Sequence, residues 1–417
     1  MSRFPTTCCA ATLLALATVS SLHAEDLAAG FEDAIKGGTY GGMLRYRADK
    51  YDEENGASEY GLASTLRTSL YYQTKAWHGA TGYVELYHIA SLGATRYAPE
   101  GDPSGEPRDF IIDPIGMGVN QAYGEFKPES PVPFAVKVGR QLFTINDETL
   151  VTASRYRQNM NRFDAATGYV EPVKNLVLEG GQIWHNIDVG DALVPMSSQV
   201  GNVAYTIPDK GRAAVYGVVL NYTDDTKTDR TTTGIRLDGP YKIDDKLGII
   251  YELDYAKQKE SGDTKVKIDA SMVTARGGVA YDQWYGTIGY RKSSGVNSSS
   301  DLAYQSSDLG YPWPWRGNSE QLVFYPNDGL KTLMVWIGGA VPKVEGLSFD
   351  VFYFDFKAAE TSVKYGTEIS GGLNYNVTKR WSVYGLATKA SKGDEATAGN
   401  TAFNSATRLT GMTTFTF

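Results

Sequence analysis

The chain closes on "RLTGMTTFTF", Arg408 to Phe417. Leu409, Gly411, Thr413, Phe415 and Phe417 share one phase of a two-residue alternation, and the final residue is aromatic. Successive side chains of a strand point to opposite faces. A last strand with one apolar face fits a barrel wall that meets lipid outside and water inside. An ordinary terminal strand of a secreted β protein would show the same alternation. The rest of the sequence decides between the two.

The same period recurs upstream. In "LASTLRTSLYY", Leu62, Ser64, Leu66, Thr68, Leu70 and Tyr72 oppose Ala63, Thr65, Arg67, Ser69 and Tyr71. "TTTGIRL" sets Thr231, Thr233, Ile235 and Leu237 against Arg236. "KLGIIYELDYA" sets Leu247, Ile249, Tyr251, Leu253 and Tyr255 against Glu252 and Asp254. "QWYGTIGYR" sets Trp284, Ile288 and Tyr290 against Thr287 and Arg291. A charge in mid-strand opposite an apolar row suits a wet lumen behind a lipid-facing wall. A sandwich with one face in bulk water gives the same pattern, so alternation alone leaves both open.

The connections separate them. Strands are predicted near residues 39–49, 60–72, 79–91, 118–126, 133–143, 163–172, 175–186, 201–208, 212–222, 229–239, 246–257, 265–281, 283–292, 329–340, 346–357, 364–376, 380–389 and 403–417. Gaps on one side are long and polar: "KYDEENGASE", residues 93–116, the run containing "ASRYRQNMNRFDA", and residues 293–328. Gaps on the other side are short: "KPES", "PVK", "DKG", "DQ", "PKVEG" and "TKR". Long loops at one rim and tight turns at the other are the pattern of an up-and-down outer-membrane barrel. The expected fold is therefore all-β, a transmembrane antiparallel barrel of about 18 strands, or 16 if a hairpin merges. Tyr46, Tyr72, Trp284, Tyr290, Trp336, Tyr353, Tyr375 and Trp381 fall in these strands, as interface girdles would.

The N-terminus reads "MSRFPTTCCAATLLALATVSSLHA". Arg3, a short apolar core and a small residue at Ala24 make residues 1–24 an expected export signal, removed from a barrel spanning 25–417 with a short periplasmic lead-in. Leu22 is an unusual residue two places before the cut. Both cysteines, Cys8 and Cys9, lie within the signal, so the exported chain would hold none. Losing Arg3 takes the basic count from 40 to 39 against 48 acidic residues, a net charge of −9. That balance argues against nucleic acid as a partner. Export, abundant Tyr (28) and Gly (45), and the strand pattern point instead to the outer membrane of a Gram-negative bacterium, in contact with its lipid and lipopolysaccharide.

Enzyme signatures are scarce. Only His78, His88 and His185 follow the signal, and no HExxH, GxSxG, Walker loop or Cys/His metal spacing occurs. The chain is read as a non-enzyme that needs no cofactor and holds no metal. Asp224, Asp225 and Asp229 in "NYTDDTKTD" lack the spacing of a calcium loop and read as a solvated loop. Other classes stay in view. A barrel hydrolase would need a Ser/His/acid or Asp/His group at the outer rim, and an adhesin would act through its long loops.

The basic residues say more. Arg45, Arg47, Arg67, Lys137, Arg236 and Arg291 lie on the polar phase of their strands. Arg140 follows "AVKVG" on the apolar phase, so it sits beyond the lipid band or is turned inward by a bulge at Gly139. The segment "ASRYRQNMNRFDA" adds Arg155, Arg157 and Arg162 in a loop long enough to fold into a lumen. Arginine keeps its charge and offers a planar fork of donors to carboxylates. Arg45, Arg67, Arg140, Arg155, Arg157 and Arg162 are thus candidate pore-lining residues for anionic solutes. Alternatively, they pair with interior acids such as Glu85, Glu125, Glu252 and Asp254 and simply brace the wall.

In order along the chain come "GGMLRYRADKYDE", "LASTLRTSLYYQTKAWHGATGYVELYHIASLG", "DPIGMGVNQAYGEFK", "VKVGRQLFTINDETLV" and "NMNRFDAATGYV". Together they resemble the N-terminal half of the alginate-export-type family of outer-membrane porins, over about residues 39–180. The resemblance implies a monomeric 18-stranded barrel with a basic constriction that passes acidic polysaccharide or other anions. Carried over by motif, Arg140 and Arg162 lead, followed by Arg67 and Arg45. Asp164 and Ala165 stand where the family has Asp-Gly. A small carboxylate or acidic sugar is therefore the expected solute, with a general diffusion porin or an alginate-like exporter as alternatives. The terminal strand likewise resembles the barrel-assembly signal, with Phe417 as the residue read by the assembly machinery.

Overall fold

The computed structural model describes residues 24–417 apart from 94, 101, 103, 147–149, 225–226, 263, 306–308, 311–312, 323–324, 362 and 394–402. The expected export signal, with Cys8 and Cys9, lies outside the described residues except for Ala24.

A helix, α1 (Ala24–Lys36), precedes eighteen strands. They are β1 (Thr39–Glu53), β2 (Gly61–Gln73), β3 (Ala80–Ser91), β4 (Gly116–Phe126), β5 (Phe134–Gln141), β6 (Arg162–Val173), β7 (Leu176–Ile187), β8 (Leu193–Ile207) and β9 (Gly211–Leu220). The second half comprises β10 (Arg230–Lys242), β11 (Leu247–Glu260), β12 (Asp269–Tyr281), β13 (Trp284–Ser293), β14 (Leu330–Ala340), β15 (Leu347–Lys357), β16 (Lys364–Thr378), β17 (Trp381–Lys392) and β18 (Ala406–Thr416). Each strand pairs antiparallel with the next. β18 returns to β1, from Met43 opposite Thr416 to Glu53 opposite Ala406. The sheet is thus a closed 18-stranded barrel, the larger of the two expected counts, and closure leaves no strand edge exposed.

The alternation sorts the two faces. Leu409, Leu253, Ile288 and Leu70 are each more than half exposed on the outer wall, while Arg408, Glu252, Arg291 and Arg67 are buried inside. No helix among the described residues is long and apolar enough to cross a membrane. Tight turns close one rim, with Asn175, Asp209 and Asp282 at φ 70°, 61° and 54°. Asn and Asp tolerate this left-handed backbone best among non-glycine residues. α1 docks at that rim, where Lys75 donates its backbone N–H to Ala34 O at 2.9 Å and Phe31 meets Trp77 edge-on at 5.8 Å.

Two sequence expectations need adjustment. β8 begins at Leu193 rather than near 201. Pro195 and two serines hide its alternation, and Pro195 sits at a register shift opposite His185, where a bulge accommodates it. Trp336 is not part of an outer girdle, unlike Trp284, Tyr375 and Trp381. It is paired with Thr287 and Phe352 on the inner phase, and its indole N–H donates to Asp350 at 2.8 Å. β14 is apolar on both faces, so its periodicity carried no phase.

Candidate functional site

Three long connections at the open rim, residues 92–115, 142–161 and 294–329, meet inside the barrel. The backbone N–H of Thr152 donates to Leu309 O at 2.8 Å, and that of Gln158 to Asp113 Oδ1 at 3.1 Å. Where they converge, strand arginines hold the 142–161 loop by its backbone. Arg45 Nη1 donates to Arg155 O at 2.9 Å and to Arg157 O at 3.2 Å. Arg47 Nη1 donates to Tyr156 O at 3.0 Å, with its guanidinium 4.5 Å from the Tyr156 ring. Arg67 Nη1 donates to Gln158 O. Four successive carbonyls, from residue 155 to 158, are thus taken up by three forks projecting from β1 and β2.

The register explains the grouping. Arg45 stands opposite Arg67 across β1 and β2, and Arg47 opposite Thr65. Like charges directly opposite repel. Here the loop's carbonyl dipoles separate them, and Arg67 Nε also donates to Ser69 Oγ at 3.0 Å. The charge itself is not cancelled by a dipole. Arg45 has no carboxylate partner among the described residues, its other hydrogen bond going to Thr414 Oγ1 at 3.2 Å.

Other arginines are neutralised, Arg47 by Asp49 among them, and Arg67 Nη2 lies 3.8 Å from Glu85 Oε1. Arg157 and Arg408 both bind Glu320, which hangs from the 294–329 loop. Arg408 also donates through Nε to Asp49 Oδ1 at 3.0 Å, and Asp49 takes Arg47 Nη2 at 2.9 Å. Burial would raise the pKa of Glu320. The two guanidinium groups, Arg157 and then Arg408, more than offset this and hold it down at about 2. Asp113 lies 3.7 Å from Arg47 Nε, and for it burial prevails and shifts its pKa upward.

The six arginines singled out in the sequence fall into distinct settings. Arg45 and Arg67 face the lumen and grip the loop. Arg155 is exposed and makes no side-chain hydrogen bond or ion pair among the described residues. Arg157 is buried on Glu320. Arg162 is buried too, donating to Asn159 Oδ1 at 2.8 Å and pairing with Asp191. Arg140 stays apart from this row. It is opposite Ala122 and Asp164 in unbroken register, on the phase of Val136 and Val138. Gly139 has φ 126° but causes no register shift. Arg140 binds Asp164 through both oxygens, at 2.8 and 3.0 Å, and His185 Nδ1 lies 3.4 Å from the same carboxylate.

Sequence reasoning missed Asp49, Arg408, Asp113 and Glu320. Arg408 and Asp49 were within its reach, since both lie on the polar phase of quoted strands. Asp113 and Glu320 sit in aperiodic loops, where nothing local marks an inward acid. Tyr71, Tyr83 and Tyr123 stack along the inner wall at 5.6 and 5.1 Å, with Lys137 over Tyr123 and paired to Glu125. His78 and His88 lie far along the chain from His185, on a turn and on β3, and no metal-binding group of three occurs among the described residues. Asp225 lies outside the described residues, and Asp229 accepts the Tyr222 backbone N–H at 2.8 Å.

No family model matches the chain, and neither does any curated protein. Solved structures do. OccAB4 of Acinetobacter baumannii is similar with TM-score 0.68 and 14% identity, over 91% of this chain and 98% of that one. OpdK of Pseudomonas aeruginosa, solved with vanillate, gives 0.68 and 12% over 92% and 99%. OccK2 (OpdF) of the same organism, in complex with glucuronate, gives 0.68 and 11% over 92% and 98%. At these identities the likeness is one of fold.

Proposed function

We propose that the chain is an outer-membrane channel for passive diffusion of small anionic solutes, carboxylates or acidic sugars, through an arginine-lined constriction. The observation that carries this reading is Arg45, whose guanidinium donates to the Arg155 and Arg157 carbonyls and to Thr414 and meets no carboxylate among the described residues. Hydrogen bonds to carbonyls satisfy the guanidinium donors without cancelling their charge. With Arg155 exposed beside Arg45, the place where the three loops converge is locally positive in an acidic protein. An anion entering there exchanges hydration for guanidinium contacts and needs no energy source. Arg45 and Arg155 would touch the solute. Arg67, Arg157 and Arg162 would set the field and the loop position, and Arg140 would contribute least.

Two barrels of the same fold were solved with ring carboxylates, OpdK with vanillate and OccK2 with glucuronate, which supports the solute class. Loops that fill the lumen favour a selective channel over a general diffusion pore. Export of an alginate-like polysaccharide rests on the quoted N-terminal motifs alone. The reading also takes residues 1–24 as the export signal, α1 and the tight turns as the periplasmic rim, Phe417 as the contact for the assembly machinery, and the working unit as a monomer in lipid and lipopolysaccharide. Liposome swelling tests the function. Gluconate should enter several times faster than a neutral polyol or an amino sugar of similar size, a difference on the order of 1 kcal/mol in the entry barrier. Equal entry, or faster entry of the cation, contradicts it.

A further inference from the structure

The lumen carries an aromatic surface that the arginine row does not account for. Phe352, Phe354 and Phe356 alternate along the inner face of β15, stacked at 5.9 and 5.6 Å. All three are buried, and Phe403 closes the column at 5.5 Å from Phe356. They glue the 294–329 loop to the wall. At the turn-side end the column continues into residues that are only partly buried. Trp336 stacks on Phe352 at 4.9 Å, Trp313 meets Trp336 edge-on at 5.7 Å, and Tyr285 meets Trp336 edge-on at 5.4 Å.

These three rings are held rigidly. Trp336 Nε1 and the Tyr285 hydroxyl both donate to Asp350 Oδ1, and Trp313 Nε1 donates to Asn318 Oδ1 at 2.9 Å. With their polar ends satisfied inside, what the rings leave toward the lumen is apolar. The interior of such a barrel is otherwise polar, and an uncovered apolar face there marks a contact for something that passes. Charge stands beside it. The Arg276 guanidinium lies 5.7 Å from the Trp336 ring while bound to Glu252 at 2.9 Å. The carboxylate of Asp350 adds an acceptor for hydroxyl groups. Tyr384, on the inner phase of β17, lies 6.0 Å from Tyr156 and within electrostatic reach of Asp350, between the patch and the loop that Arg45 holds.

We propose that Tyr285, Trp313 and Trp336 form a lumen subsite for the ring of a hydroxylated ring carboxylate, which stacks on the indoles while its hydroxyls reach Asp350 and its charge is held on the arginine side. This rests on the anion-channel reading and narrows its solute from any small carboxylate to one that carries a ring. An open-chain acid of equal charge has no flat face to place against the indoles.

Liposome swelling with glucuronate and 4-hydroxybenzoate, each against open-chain gluconate, tests the subsite. The readout is the ratio of ring to open-chain uptake. In Trp313→Leu and in Trp336→Leu that ratio should fall about fivefold, the scale of one lost stacking contact. Trp336→Phe keeps a ring and should hold the ratio within about twofold of the parent. Trp313 lies in a loop, so its variant keeps the test valid if the wall variant fails to insert. An unchanged ratio in Trp313→Leu overturns the proposal, and so does a fall of equal size in Trp336→Phe. Failure of the underlying reading would look different, because gluconate itself would then show no advantage over a neutral polyol.

Discussion

On the β1–β2 wall, Arg45 donates to loop carbonyls and meets no carboxylate among the described residues, while Arg47 and Arg67 divide their donors between loop carbonyls and the acids Asp49, Asp113 and Glu85. On the β9–β13 wall Arg212, Arg236, Arg276 and Arg291 each meet a carboxylate. Arg212 pairs with Asp238, Arg236 with Asp238, Glu252 and Asp254, and Arg276 and Arg291 with Glu252. Both walls are built from the same residue type on the same strand phase. Their partners separate them. Where the partner is a carboxylate, the pair braces the barrel and its field is short-ranged. Where the partner is a peptide carbonyl, the side chain is anchored but its charge remains available to a solute.

That contrast is open to attack. The largest expected effect is on stability. Arg236→Met leaves Glu252 and Asp254 with less compensation and should cost about 3 kcal/mol of unfolding free energy, as for a broken buried pair. Arg45→Met leaves only carbonyls and the Thr414 hydroxyl and should cost about 1 kcal/mol. Urea unfolding in a lipid or detergent host measures both, and equal losses would erase the distinction. Next is Glu320→Gln, which removes the clasp between two loops and β18. Single-channel conductance should rise about twofold as Arg157 and Arg408 lose their shared partner and the loops loosen. An unchanged conductance would mean that this clasp does not hold the constriction.

Acid should reproduce that second effect only far from neutrality. The Glu320 pKa is depressed, so its contribution is complete above the ordinary carboxylate range and is lost as pH falls through about 2. Conductance should therefore be level from pH 8 to about 4 and change only as pH approaches about 2. A transition near pH 6 would assign the clasp to another group. The smallest effect belongs to Arg140→Ala. A half-exposed pair with Asp164 is worth less than about 1 kcal/mol, and its loss should leave ion selectivity where it was.

Much of the barrel was legible because lipid and water impose a period of two on every strand. "TTTGIRL" and "KLGIIYELDYA" show it, and Arg236 and Glu252 indeed meet inside at 3.2 Å. Legibility failed where the two faces were chemically alike, as at Trp336, or where a proline interrupted the pattern, as at Pro195. The constriction was half legible. The arginines of "ASRYRQNMNRFDA" stood out against an acidic chain, but their partners did not. Which carbonyl lies under which guanidinium depends on how a loop folds across a lumen, and no spacing encodes that. Glu320 reaches Arg408 from 88 residues away in sequence, so only the closed barrel brings them together.

The most direct test is the reversal potential of the channel in a planar bilayer across a tenfold salt gradient, for the parent chain and for Arg45→Ser combined with Arg155→Ser. The parent should be anion-selective, and the double variant should move toward zero by a factor of about ten in permeability ratio, or about 1.4 kcal/mol. Cation selectivity in the parent, or a ratio unmoved by the double substitution, would contradict the arginine constriction as the basis of solute choice.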